Sequence, residues 1–317
     1  MPALVVVGSL NRDLIFRTTQ FPAPGETRLG RFDSCMGGKG LNQAVAAARL
    51  QVGTAFIAAV GADGFAEEAR RFLQTEGIDA RLQQVDTAHT GVAGITVDGS
   101  GENLIVVAAG ANAALSAEHI HHQAELIAGA RVLLVQLEAG LKAVEAAMRL
   151  AREHGVFTVL NPAPIREDVP DSLWQLADLI TPNETEFAWY LRQRTGVELH
   201  PDYWLEREAQ LHAWSRELSP AGCILTLGSM GALVAVDPDP DKAFRVLPEV
   251  VDAQDTTGAG DAFSGALAAW LARHEGQAPD WEMPVRQATR VAALTVEQPG
   301  TTRAFPSLEQ LQQRFGD

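Results

Sequence analysis

Val132-Leu133-Leu134-Val135, the segment Leu141 to His154, and Phe157-Thr158-Val159-Leu160 together form the stretch whose reading decides the fold. The two outer runs are uninterruptedly apolar rather than alternating, which marks strands buried on both faces. Between them apolar residues recur at helical spacing, so the three pieces read as one βαβ unit of a parallel sheet. Further out, the same short runs return at Leu4 to Val7, Ala55 to Val60, Leu179 to Thr181 and Ile224 to Leu227. A layered α/β sheet follows.

Two stretches break this rhythm. Between Asp13 and Ser34, the turn residues Pro22, Pro24 and Gly25 separate two strand-like pieces, and between Gly91 and Ala108 the run Asp98-Gly99-Ser100-Gly101 joins two more. Both read as hairpins outside the main sheet. Insertions at about 13–34 and 91–108 would then form a small β-sheet lid on a single domain spanning 1–317, excluding water from the site beneath. After Gly258 the chain turns to small-residue helices, Ala259 to Arg273 and Val285 to Val296, with a last helix from Ser307. The run Asp237 to Asp241 reads as a hairpin turn.

The bulk numbers narrow the function. A chain of 317 residues with 46% apolar content buries a large core, while a formal charge of -15 excludes a broad basic surface for nucleic acid or anionic lipid. Any anion site is therefore local. Cys35 and Cys223 lie far apart with no metal or disulfide spacing, which fits a reducing cytoplasm. The apolar run Leu4 to Leu10 lacks a basic lead and is too short to span a membrane, so it reads as a buried first strand.

Four motifs can carry chemistry. Gly37-Gly38-Lys39-Gly40, followed by Asn42 and an Ala-rich helix, is neither a Walker A loop nor a GxGxxG turn, so a nicotinamide dehydrogenase is disfavoured. Its glycines allow close backbone approach, and the helix start behind them offers free N–H groups. A purely structural turn is the competing reading, against which Lys39 and Asn42 weigh. The second motif is Asp255-Thr256-Thr257-Gly258-Ala259-Gly260-Asp261. There a helix begins in glycines, leaving N–H groups and the positive dipole end bare to phosphate. Asp261 alone reads equally well as a helix cap. Beside an anion hole, however, it suits proton abstraction from an attacking hydroxyl.

The third motif, Asn183-Glu184-Thr185-Glu186, lies just past a strand end, where α/β sheets bind ligands, and its carboxylates suit Mg²⁺ held through water. An N-cap Asn with acidic residues in the first turn is the structural alternative. The fourth, Thr226-Leu227-Gly228-Ser229-Met230-Gly231, is on its own only a turn. Glu138 follows a strand and reads as a sugar-hydroxyl ligand or a solvated loop residue. His119, His121 and His122 lack acidic or Cys partners and read as surface histidines.

Taken in order, Gly8-Ser9-Leu10-Asn11-Arg12-Asp13, Gly37 to Ala44, Gly110 to Ser116, Asn161-Pro162-Ala163-Pro164, Thr181-Pro182-Asn183-Glu184 and the run ending at Asp261 resemble the ribokinase, or PfkB, family of sugar kinases over essentially the whole chain. The resemblance implies a three-layer α/β/α fold with a mostly parallel sheet and a β lid that often mediates dimerisation. It implies an ATP-dependent phosphotransferase acting on an alcohol group: D-ribose would be phosphorylated on its primary hydroxyl, giving ribose 5-phosphate and ADP. Deoxyribose, fructose, 2-keto-3-deoxygluconate or a nucleoside are alternative substrates, and a non-catalytic sugar-binding regulator is the remaining reading. By the same resemblance Asn11, Asp13, Gly38, Lys39, Gly40, Asn42 and Glu138 look like sugar contacts and Asp261 like the base. Asn183, Thr226, Gly228, Ser229, Gly231, Gly258, Gly260 and Thr289 look like nucleotide contacts, with Glu186 on Mg²⁺ through water. Asp255, Thr257, Thr295, Gln298, Gly300 and Ala304 align with the ligands of a monovalent cation, expected to be K⁺. The run Gly300-Thr301-Thr302-Arg303-Ala304 departs from the family's usual sequence there, with Ala304 where Ser is common.

Overall fold

The computed structural model describes residues 1–274 and 280–316. They form thirteen strands: β1 (Leu4–Val7), β2 (Asn11–Arg17), β3 (Arg31–Gly37), β4 (Thr54–Gly61), β5 (Asp79–Val85), β6 (Gly91–Val97), β7 (Asn103–Ala108), β8 (Val132–Val135), β9 (Phe157–Leu160), β10 (Leu179–Ile180), β11 (Cys223–Thr226), β12 (Ala232–Ala235) and β13 (Phe244–Val246). The helices are α1 (Lys39–Arg49), α2 (Gly64–Thr75), α3 (Ala117–His122), α4 (Ala124–Ala128), α5 (Leu141–Glu153), α6 (Asp171–Leu176), α7 (Glu184–Thr195), α8 (Glu208–Leu218), α9 (Ala259–Arg273), α10 (Glu282–Val296) and α11 (Leu308–Phe315).

Nine strands make one sheet in the order β13-β12-β11-β10-β9-β8-β1-β4-β5. Pairing is parallel from β5 to β11, and only β12 is reversed, antiparallel to both β11 and β13 and joined to β13 through the turn at Asp237 to Asp241. Alternate residues of each strand enter different cores. Leu4, Val6, Phe56, Val132 and Leu134 pack with α1, α2, α9 and α10, while Val5, Val7, Ile57, Leu133 and Val135 pack with α5, α7 and α8. This two-sided burial is why the strand runs are continuously apolar, and it gives the three layers. The apolar run after Met1 leaves the sheet earlier than its composition suggested: β1 ends at Val7, and Gly8-Ser9-Leu10 belong to the site above it.

Walking the sheet, strand order reverses at β1, since the chain proceeds to β4 and β5 on one side and later to β8 and its successors on the other. Such a switch point opens a crevice beyond the carboxyl ends of the strands.

The two hairpins fall outside this sheet, as their turns indicated. β2 and β3 pair antiparallel, β6 and β7 pair antiparallel, and β2 joins β6 in parallel, giving a second sheet of order β3-β2-β6-β7. Its core is thin. Phe16, Phe32, Leu104, Val106 and Val107 are exposed, and no residue of β7 is shielded.

Candidate active site

The site is built on the exits of β1, β8, β9, β10 and β11 and on the starts of α1, α7 and α9. Helices α1 and α9 cross closely because Gly265 has no side chain: a Cβ there would lie 2.4 Å from the Gln43 carbonyl oxygen. That approach places Asn42 and Gln43 against the first turn of α9. Asn42 Nδ2 donates to Asp261 Oδ2 at 2.8 Å, and Gln43 Nε2 donates to Asp261 Oδ1 at 3.0 Å.

The cap reading of Asp261 therefore fails. The N-cap of α9 is Gly258, in the left-handed region at φ 81°, with no side chain on the helix's free N–H groups. The carboxylate is buried and turned sideways onto two neutral amides. A Cβ at Gly260 would meet nothing within 4 Å, so packing inside the chain does not require this glycine, and the space beside it is open.

Beneath Asp261 lies a polar layer that the sequence did not reveal. Gln43 Nε2 also donates to Asn161 Oδ1, Gln136 Nε2 donates to Gln43 Oε1, Asn161 Nδ2 donates to the Thr181 carbonyl, and the Thr181 and Ser264 hydroxyls are 3.1 Å apart. All are buried. The available signal was Gln43 itself, a long polar side chain in the apolar run Leu41 to Ala47 of α1. Asn42 Oδ1 is buried without a partner, an acceptor open to a donor from a ligand.

The other predicted sugar contacts converge on the same crevice. Glu138 Oε2 accepts from the Ser9 hydroxyl at 2.6 Å and from the Lys39 N–H at 3.0 Å, spanning the switch point between β1 and β8. Asn11 Oδ1 accepts from Asn112 Nδ2, which fixes the exit of β1, and Gly38 and Gly40 pack on that exit. Asp13, on β2 of the lid, is buried, and its carboxyl is pushed up to about 7 by burial and by the charges of Glu138 and Asp261, against a smaller pull from Arg12. Burial pulls the Lys39 ammonium down, but Asp261, Glu138 and Glu186 together outweigh it and leave the group above its ordinary value. Lys39 thus serves three carboxylates of the crevice, while Arg12 acts on the fourth, Asp13.

The candidate nucleotide residues form a neighbouring cluster. Asn183 pairs as a parallel bridge with Thr226, the Thr226 hydroxyl donates to the Pro182 carbonyl, and Gly228 and Gly231 take left-handed backbone at φ 52° and 82° around Ser229. The structural alternative at Asn183 is also realised: Asn183 Oδ1 accepts from the Glu186 N–H, and Glu186 Oε2 accepts from the Asn183 N–H. Burial raises the Glu186 carboxyl. Its Oε1 keeps no hydrogen bond among the described residues, so capping α7 leaves one oxygen for a hydrated Mg²⁺, a hard cation suited to such a donor. Thr289 is buried in α10 with its hydroxyl on the Val285 carbonyl, so it offers surface rather than a donor.

The third cluster centres on Asp255. Its two oxygens accept from the Thr257 and Gly300 N–H groups at 2.9 Å each, and against burial the Thr257 hydroxyl together with these two N–H groups lowers its pKa. The Thr295 hydroxyl bonds the Val291 carbonyl, the Gln298 N–H bonds the Thr295 carbonyl, and the Ala304 N–H bonds the Thr301 carbonyl. Asp255 is therefore a tie between two loops, and backbone carbonyls are the donors left for a monovalent cation. Carbonyl oxygens are the donors such an ion takes, and ligation through them is indifferent to Ala304 lacking a hydroxyl, although the Thr295 carbonyl already accepts from the Gln298 N–H. Among the described residues no group of three or more His, Cys, Asp or Glu side chains is placed to hold a metal, which leaves the three histidines near α3 on the surface.

Residues 1–308 match the family model described as pfkB family carbohydrate kinase. The chain belongs to that family. This pfkB-family enzyme is 36% identical over 309 residues to the ribokinase of Haemophilus influenzae, covering 97% of this chain and 96% of the relative. It is also 36% identical over 312 residues to the deoxyribokinase of Salmonella typhi, covering 97% and 96%. The structure of Arabidopsis thaliana ribokinase complexed with ribose and ATP superposes with a TM-score of 0.83 at 26% identity, covering 98% of each chain. No described helix is long and apolar enough to cross a membrane.

Proposed function

We propose that the enzyme transfers the γ-phosphoryl group of ATP to the primary hydroxyl of D-ribose, giving ribose 5-phosphate and ADP. The observation that carries this reading is the posture of Asp261: a buried carboxylate, turned away from its own helix and held by two amides, at a helix start opened by glycines. Asn42 and Gln43 fix the carboxylate without neutralising it, and its remaining lone pairs accept the hydroxyl proton as the oxygen attacks phosphorus and the ADP oxygen leaves. General-base help of this kind supports about 10²- to 10⁴-fold of rate. The glycine-opened start of α9, with no side chain capping it, and the dipole of the helix favour the charge that develops on the transferring group.

Asn11, Asp13, Gly38, Lys39, Gly40, Asn42 and Glu138 hold the sugar hydroxyls in this reading, with the orphan Asn42 Oδ1 accepting from one of them. Asn183, Thr226, Gly228, Ser229, Gly231 and Thr289 line the nucleotide. Mg²⁺, held through water by Glu186, would neutralise phosphate charge. A monovalent cation, K⁺ by preference, rests on the carbonyls of Asp255, Thr257, Thr295, Gln298, Gly300 and Ala304. The sheet β3-β2-β6-β7 closes over the sugar and pairs with a second copy through its exposed apolar side chains, in a cytoplasmic homodimer whose protomers are each one domain.

A coupled ADP-release assay over a sugar panel tests the reading. Ribose is expected among the best substrates. Faster turnover of deoxyribose, the substrate class of the Salmonella relative, would move the assignment to that sugar.

A further inference from the structure

The run Gly300-Thr301-Thr302-Arg303, where the chain departs from its family's pattern, touches both halves of the site. On the phosphate side, the Gly300 N–H donates to Asp255 Oδ2 at 2.9 Å, and a Cβ on Gly258 would meet Thr301 Cγ2 at 3.2 Å. On the lid side, the buried Thr302 hydroxyl donates to the Met36 carbonyl at 3.2 Å. Arg303 Nη1 donates to Asp33 Oδ2 at 2.9 Å, and Arg303 Nη2 donates to the Ser34 carbonyl at 3.1 Å. Met36, Ser34 and Asp33 all lie on β3, the strand whose partner β2 carries Asp13. Register places Cys35 opposite Asp13 and Asp33 opposite Ile15, so the strap grips β3 beside the carboxylate that holds the sugar.

We propose that Thr302 and Arg303 are positioning residues that couple sugar binding to nucleotide binding. A sugar that binds Asp13 and so pulls β2 and β3 down over the crevice also draws, through Met36 and Asp33, the loop that fixes Asp255 and abuts the N-cap of α9. Seating the lid thus sets the phosphate-receiving helix start in place. Coupling of this kind is reciprocal: sugar must tighten nucleotide by the same factor as nucleotide tightens sugar. The inference rests on the sugar-kinase reading but not on which sugar is used.

Calorimetric titration tests it, using ribose and a non-hydrolysable ATP analogue with Mg²⁺, each alone and each in the presence of the other. Arg303→Gln is expected to keep both separate affinities and lower the coupling factor by about two- to fivefold, the range open to an exposed ion pair. Thr302→Val, which removes one buried hydrogen bond, is expected to lower it by about five- to tenfold. Asp33→Arg combined with Arg303→Asp, which restores the pair in reverse, is expected to recover what Arg303→Gln loses. A merely structural role would not give that recovery. A wild-type coupling factor of one, or variants that match the wild type, would overturn the proposal. Strap-dependent coupling seen with another sugar in place of ribose would support it while displacing the substrate assignment.

Discussion

The floor of the crevice and the lid above it are built on opposite plans. Under Asp261, the amide groups of Gln43, Gln136 and Asn161 are linked into one buried network, and Gly265 locks α1 against α9. The lid is a four-stranded sheet with little of its own to bury; Phe32 is 61% exposed and Val106 is 76% exposed. The bonds of a buried polar network hold one geometry, and here they do so although Gln136 Oε1 has no partner among the described residues. A thin sheet with unfilled apolar faces is stabilised by what it meets. The floor is therefore preorganised for chemistry and the lid for encounter.

The largest expected effect tests the floor. Asp261→Asn keeps the size of the side chain and removes the base, so kcat falls by about 10²-fold or more while ribose affinity changes little. Turnover within about tenfold of wild type would remove Asp261 from its assigned role. Next comes Gly265→Ala, whose methyl group would press on the Gln43 carbonyl and on Ala46 Cβ at 2.9 Å. Overpacking of this kind costs about 1–3 kcal/mol, and because it separates α1 from α9 it should lower kcat along with Tm. Loss of stability with full activity would show that the helix crossing does not set the Asp261 geometry.

Asp13 joins the two regions, and its titration sharpens the comparison. Burial and like charges favour its neutral form in the fold, with a pKa of about 7 against 3.8 ordinarily. Between those values the native state binds more protons than the unfolded chain, so stability falls as pH rises through this window and levels off above about 7. The carboxylate accepts sugar hydroxyls best when ionised, so kcat/KM should rise by several-fold across neutral pH. In Asp13→Asn both the inflection and the stability loss should disappear, as a pH series of kinetics and thermal melts would show. The smallest effect on the chain itself belongs to the lid. Phe16→Ser with Phe32→Ser removes a ring pair 5.4 Å apart on its surface. Tm measured at low protein concentration should move little, whereas light scattering should show weaker association of the proposed homodimer. An unchanged dimer would place the interface elsewhere.

Much of this division is visible in the residue string. Continuous apolar runs give the sheet because each strand is covered on both faces, and Pro22, Gly25 and Gly101 mark the lid turns because they interrupt strand pairing. The run Gly258 to Asp261 identifies the helix start, but whether Asp261 caps or faces sideways depends on Gln43 and Asn42, distant in sequence and brought near by Gly265. Gln136 and Asn161 are hidden for the same reason: each is one polar residue just past an apolar strand, and only the sheet order β9-β8-β1 turns them toward a common layer. Asn183 and Glu186 show a further limit of the string, since the capping box takes the same two residues that a nucleotide and Mg²⁺ site would use.

The parallel pairing of β2 with β6 has a consequence in time as well as space. Asn11 meets Gly91 only after α1, β4, α2 and β5 have been threaded through the main sheet between them, so the join between the two lid hairpins closes a long loop. Contacts of such sequence separation form late, because their loop entropy is opposed only once the intervening chain is already compact. On the ribosome, β2 emerges as an edge without its neighbour and waits for the rest of the sheet. The lid sheet is thus completed only once β6 is in place, long after its first hairpin has been made.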